Sequence, residues 1–378
     1  MNFGQDSMSS YLNRRCLMFW RLFRFNHTLT QNLIMFGSLG LLFCFYYCGG
    51  HQKLIESAKC RCQKVNAGDN WTMHKSGAKN QQKLDTRKTS PTTTTEDSST
   101  LSFKSTCSAA ADRRGPNQKV IGYSMYGNFS DPTFYNSYLK WFGETLRTIP
   151  IKYPGWVVRI YHELKSDNVE SWRVLNNVLD SGTKNSRDHI DLCNATQVIR
   201  NRLLGNIFEM TWRWLPLLDD MVDTFMSRDS DSLIITREQD AVAEWLASNK
   251  TFHIMRDHPY HNIFFLGGLW GTKISQERAA ILSTAEKMFH RNHLHKKGYD
   301  QELLINYFQP MAVKSMVAHD SYHCGKFRGS QPFPNPRQNG WFVGSSQYKL
   351  QTINISCPEN CQPHNLTGAF KLADWRLC

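Results

Sequence analysis

The feature that most constrains this chain is a strand-helix-strand texture beginning at Lys119. "KVIGYSMYG" reads as a buried strand, and "PTFYNSYLKWFGETLRTI" carries Tyr135, Tyr138, Leu139, Phe142 and Leu146 at helical spacing. "GWVVRIYHE" then reads as a second strand. Strands joined through a helix pair in parallel, and a parallel sheet buries both faces under helices, so the implied class is α/β. At 378 residues with 12% aromatics, the chain has material for one large core or two modest ones.

The pattern continues through "IRNRLLGNIFEMTWRWLPLLDDMVDTFMSRDSDS", read as a helix to about Leu215, a break near Pro216 and a strand from Asp223 to Ser227. Thr236, with Gln239 three residues on, predicts a capping box for a helix that buries Val242, Trp245 and Leu246. Asp229 and Asp231 thus fall in a turn at the carboxyl end of a strand, where open α/β sheets bind ligands. Residues i and i+2 of extended backbone face the same side, and two carboxylates so placed repel unless a cation intervenes. An all-oxygen donor set suits Mg²⁺ or Mn²⁺. The competing expectation is structural, with Asp229 closing the turn while Asp231 or Ser232 caps the next helix.

The ends of the chain point to a membrane-anchored protein of an oxidising compartment. "LIMFGSLGLLFCFYYC", Leu33 to Cys48, contains no charge and is just long enough for a thin bilayer. Arg14, Arg15, Arg21 and Arg24 precede it and Lys53 is nearly alone after it, so the positive-inside rule leaves the N-terminus cytosolic. A cleaved signal peptide fits less well, because the polar lead is long and "FYYCGGH" is a poor cleavage site. Asn70, Asn128, Asn194, Asn249, Asn354 and Asn365 each start an N-x-Ser/Thr triplet after the anchor. Past the anchor stand Cys60, Cys62, Cys107, Cys193, Cys324, Cys357, Cys361 and Cys378, an even set whose spacing suits disulfides of unreadable connectivity better than zinc. "KLDTRKTSPTTTTEDSSTLSFKST" has too few apolar residues to repay ordering and reads as a flexible stem. The formal charge of +13 is spread without a basic block, which argues against nucleic acid as a partner.

With these parts in view, "RDSDS" at a strand end, behind a type II anchor and a stem, resembles the D-x-D motif of nucleotide-sugar-dependent glycosyltransferases of the GT-A fold. The resemblance covers roughly residues 117–323 and implies a GT-A-like, Rossmann-like mixed sheet flanked by helices. With the residue patterns above, the chain divides into a cytosolic tail (1–30), a transmembrane signal anchor (31–49), a lumenal stem (50–116), a GT-A-like catalytic domain that the resemblance implies (117–347) and a disulfide-rich extension (348–378). The resemblance implies Mn²⁺ or Mg²⁺ bridging the protein to a donor diphosphate, with Asp231 on the metal and Asp229 on the ribose or a metal-bound water. Transfer to a glycan or glycoprotein acceptor in the Golgi or the ER would follow, with Arg228 helping to stabilise the departing diphosphate.

The resemblance also directs attention downstream. "HIMRDHPYHNIFFLGGLWGTK" predicts a strand near Ile263 to Leu266, then Gly267 and Gly268 beside Trp270, whose indole would stack on a sugar; a tight turn with a core tryptophan is the alternative. "GYDQELLINYF" puts Asp300 and Glu302 at a helix start, either as acids favoured by the helix dipole or as a general base near the acceptor hydroxyl. Asp300 is the first choice there, with Glu302 and Asp257 as rivals. His319 in "VAHDSYHC" becomes a candidate third metal ligand or an ordinary structural histidine, and the H-x-x-G-x-x-K pattern of one retaining subgroup is absent. The rival function is a catalytically inactive lumenal glycan-binding or scaffolding protein on the same fold, and a metal-dependent hydrolase would need a richer His/Asp cluster.

Overall fold

Strict alternation sorts the side chains of the central strands onto two faces. In the computed structural model, which describes residues 103–183, 187–346, 352–363 and 372–378, β1 (Gln118–Met125) sends Val120 into one core and Ile121, Tyr123 and Met125 into another. The remaining strands are β2 (Trp156–His162), β3 (Ile190–Asn194), β4 (Val222–Ser227), β5 (Phe252–Arg256), β6 (Trp270–Lys273), β7 (Met316–Asp320) and β8 (Ser330–Gln331). They form one sheet in the order β3-β2-β1-β4-β6-β5-β7-β8. All pairings are parallel except those of β6, which runs antiparallel to both β4 and β5. The fold is a mostly parallel α/β sheet compatible with a Rossmann-like arrangement.

The helices are α1 (Ala109–Arg113), α2 (Phe142–Lys152), α3 (Val169–Thr183), α4 (Ala195–Asn201), α5 (Thr236–Ala247), α6 (Arg278–Phe289) and α7 (Tyr299–Tyr307). On one face α2, α3 and α5 bury Phe142, Leu146, Leu175, Val178, Val242 and Trp245 against Ile121, Val158, Ile160 and Met226. On the other, α4, α6, α7 and the 3-10 segment Glu209–Leu218 cover Val120, Phe225, Ile254 and Ala318. Both faces are therefore dry, which is why the strands read as near-continuous apolar runs.

Four expectations change. The single helix expected up to Leu215 is α4 followed by a break, because Leu203 takes a left-handed φ of 52° and ends it. Pro216 lies inside the 3-10 segment rather than after a helix. The strand expected near Ile263 to Leu266 is a loop whose Phe264 carbonyl accepts from Arg256 (2.8 Å), and the strand begins at Trp270. The capping box at Thr236 is absent: the residue preceding α5 is Ile235, with no side-chain cap.

The folded unit also starts before residue 117. Cys107 is bonded to Cys193 at the end of β3, and the Thr106 backbone N–H donates to Asp219 (2.7 Å), which pairs with buried Arg159 (2.6 Å). Residues 103–116 thus belong to the domain and not to the stem. Cys324–Cys361 and Cys357–Cys378 pin the C-terminal extension, as disulfides and not as zinc ligands. The expected tail over 1–30, anchor over 31–49 and stem up to 102, with Cys60, Cys62 and Asn70, lie outside the described residues, as does Asn365. Among the described residues no helix is long and apolar enough to cross a membrane.

Candidate functional site

The sheet order reverses direction between β1 and β4, and a crevice opens outside the carboxyl ends of two such strands. A cavity of about 570 Å³ lies there. Ser124, Met125 and Gly127 at the end of β1, Asp229, Ser230 and Asp231 after β4, and Arg213 from the 3-10 segment line it, with Phe134, Tyr138, Phe208 and Lys297 around them. Both aspartates of the motif thus line one cavity, although residues 230 and 231 form a turn and not the extended backbone that the i, i+2 argument assumes. The turn is closed by the Ser232 N–H on the Asp229 carbonyl (3.2 Å), and the Leu233 N–H reaches the Ser345 carbonyl (3.2 Å), so a distant strap braces the next residues.

Arg213 was not foreseen. Its guanidinium donates to Asp229 Oδ1 and, at 3.2 Å, to Asp300 Oδ2, joining the turn after β4 to the first turn of α7. The environments of the two acids differ: the Asp229 side chain is 40% exposed and that of Asp300 2%. Burial pushes the Asp300 carboxyl above its usual range, Arg213 opposes this, and the charge of Asp229 adds to it. For Arg213 burial acts downward, but Asp229 and Asp300 outweigh it and hold the cation firmly charged. Burial raises the Tyr126 hydroxyl to about 12, with Arg213 opposing, so this phenol enters neutral chemistry as a donor. Asp300 Oδ1 and Arg213 Nε are buried without a hydrogen-bond partner among the described residues.

Gly267 and Gly268 join this cluster for a steric reason. A methyl group at Gly268 would lie 2.1 Å from Asp229 Oδ2, and one at Gly267 2.2 Å from Asp300 Oδ2. The glycines are needed so that the two carboxylates can press against the backbone. The Gly267 carbonyl is itself fixed by the Ser227 hydroxyl (2.6 Å).

The remaining candidates are placed elsewhere. Arg228 follows the alternation of β4 to the opposite face, where it pairs with Glu238 (2.7 Å) and donates to the Trp270 carbonyl (3.3 Å). Trp270 is fully buried among Trp214, Phe225, Phe265 and Phe308, so its indole is core and not a platform for sugar. Asp257 is fully buried between Arg237 (3.0 Å) and Arg337 (2.6 Å) and also accepts from Ser321 and the Val343 N–H (2.9 Å). Burial alone would raise its carboxyl; the two arginines outweigh this and hold it below the usual range. Glu302 sits half-exposed on α7, paired with Lys296 (3.0 Å).

His319 lies on β7, and its ring nitrogens meet His253 (3.0 Å) and Glu244 (3.2 Å), not the motif aspartates. Burial depresses it, Glu244 opposing, and it serves as a structural histidine. Asp320, Cys324 and Cys361 come within metal-ligand distance of one another, but the two sulfurs are bonded together and offer no thiolate.

Fold and site together define a class: a mostly parallel α/β protein with an aromatic-walled cavity, lined by two aspartates and two basic residues, at the point where its strand order reverses. No family model matches this chain, and no curated protein matches it in sequence.

Proposed function

We propose that this protein is a metal-dependent glycosyltransferase that moves a sugar from a nucleotide-sugar donor to a glycan or glycoprotein acceptor in the lumen of the Golgi or the ER. The observation that carries the reading is the pair Asp229 and Asp231, both lining one cavity beyond the carboxyl end of β4. Their oxygens are hard donors suited to Mn²⁺ or Mg²⁺, and such ions leave positions open to substrate phosphates. When bound, the ion would supply positive charge to the leaving diphosphate.

The chain's own groups account for the rest. Asp229 and Asp231 would hold the cation, and Lys297 on the cavity wall would add positive charge near an anionic donor. Tyr126, Phe134, Tyr138 and Phe208 give the wall flat apolar faces that bind ring systems and exclude water from the reacting bond. Asp300 supplies the base: its buried, unpartnered Oδ1 is suited to accept the proton of an acceptor hydroxyl or to bind a sugar hydroxyl.

One observation favours the catalytically inactive reading: Arg213 already engages Asp229 Oδ1, an internal cation where a metal-dependent site wants an external one. Incubating the full-length chain with nucleotide sugars and a glycan acceptor, with Mn²⁺ or with chelator, separates the two. Metal-dependent release of nucleoside diphosphate together with a heavier glycan supports transfer. Release of free sugar without acceptor would make it a hydrolase, and neither product would favour glycan binding alone.

A further inference from the structure

We propose that Arg213 is a positioning residue that couples the cation-binding carboxylate Asp229, on the cavity wall, to the buried carboxylate Asp300, so that the two acids are organised as a unit. This rests on the metal-dependent reading above and adds to it a residue that belongs to neither the motif nor the helix start but bonds to both. The geometry is specific. Arg213 is itself buried, its backbone N–H is tied to the Ser124 hydroxyl at the end of β1 (2.9 Å), and its guanidinium leans over Trp214 (5.9 Å). One terminal nitrogen serves Asp229 and the other serves Asp300. A planar guanidinium can hold two carboxylates in fixed directions at once, whereas an ammonium is a point charge and cannot fix both.

The arrangement leaves capacity at both ends. Asp229 gives Arg213 one oxygen and lays the other against Gly268, with the side chain still partly open to the cavity. Asp300 gives Arg213 one oxygen and keeps Oδ1 unpartnered among the described residues. A single cation shared between two carboxylates leaves that cluster one negative charge in excess, which a divalent cation would complement. Residues that orient a ligand in this way typically change metal affinity by about 10–100-fold when altered.

The test is a double-mutant cycle on Mn²⁺ affinity, measured without any donor by the spin-resonance signal of free Mn²⁺, on the full-length chain. Arg213→Lys keeps the charge and loses the fork; Asp300→Asn keeps the shape of a side chain that is no metal ligand. Asp300→Asn alone is expected to weaken Mn²⁺ binding about 10-fold, and Arg213→Lys by about 10–100-fold. The double variant is expected to be no weaker than Arg213→Lys alone, because the second change removes a contact already lost. Unchanged affinity in Asp300→Asn, or effects that multiply, would overturn the coupling while leaving the metal site standing. A wild-type chain that binds no Mn²⁺ would overturn both the coupling and the metal-dependent reading.

Discussion

Asp257 and Asp300 are both buried aspartates held by arginine, and they do different things. Around Asp257 both carboxyl oxygens are engaged: Arg237, Arg337, Ser321 and the Val343 N–H meet them. Asp300 gives Oδ2 to Arg213, its Oδ1 is unpartnered among the described residues, and its arginine reaches on to a half-open Asp229 that lines the cavity. A closed ion cluster fastens a fold, because each lone pair removed from water has been replaced. An open one keeps acceptor capacity for something outside the chain. The Asp257 cluster sets two arginines on one carboxylate and the Arg213 cluster two carboxylates on one arginine, so satisfaction, access and charge balance, not residue type, separate structure from site.

Substitutions that remove one partner should expose this difference. Asp257→Ala strands Arg237 and Arg337 in the interior and is expected to cost about 3–5 kcal/mol of stability by denaturant melting. Asp229→Ala leaves Arg213 its second partner, Asp300, and should cost less stability than Asp257→Ala while abolishing Mn²⁺ binding. Equal stability losses at the two positions would collapse the distinction.

The closed networks extend further than the motif. A chain beginning at 117 loses the Cys107–Cys193 bond and the Thr106 contact to Asp219, for an expected loss of about 2–4 kcal/mol against one beginning at 103. A smaller effect is expected of Gly268→Ala, which drives a methyl group into Asp229 Oδ2, costs about 1–3 kcal/mol and weakens Mn²⁺ binding more than it weakens the fold.

The smallest effect concerns acid. His261 Nδ1 accepts the Asp257 N–H (3.1 Å), and burial depresses this imidazole from 6.5 to about 4. A histidine depressed in the folded state gives stability that is whole above pH 6.5 and is lost as pH falls towards about 4. His261→Gln should flatten the stability profile across that window; an unchanged slope would remove His261 from the closed network.

How much of this was legible depends on where the partners lie in the chain. β1, β2 and β4 were readable because strands buried on both faces are plain apolar runs. Asp229 and Asp231 were readable from their turn, and Gly267, Gly268 and Asp300 from their neighbours; of these Asp229, Gly267, Gly268 and Asp300 come together around Arg213, and Asp231 lines the same cavity as Asp229. Arg213 was hidden, since "TWRWLP" reads as an amphipathic segment and its two partners lie 16 and 87 residues away. Arg228 misled by adjacency: next to Asp229 in an extended chain means the opposite face. Trp270 misled because glycines beside an aromatic suggest a ligand platform, whereas here the strand begins at the indole and carries it into the core.

The most direct measurement is thermal unfolding of the full-length chain against a panel of UDP- and GDP-linked sugars, with and without Mn²⁺, in wild type and Asp231→Asn. A rise in Tm with one donor that requires Mn²⁺ and disappears in Asp231→Asn is the expected result. A folded wild type whose Tm no donor shifts in the presence of Mn²⁺ would contradict a metal-dependent donor site at Asp229 and Asp231.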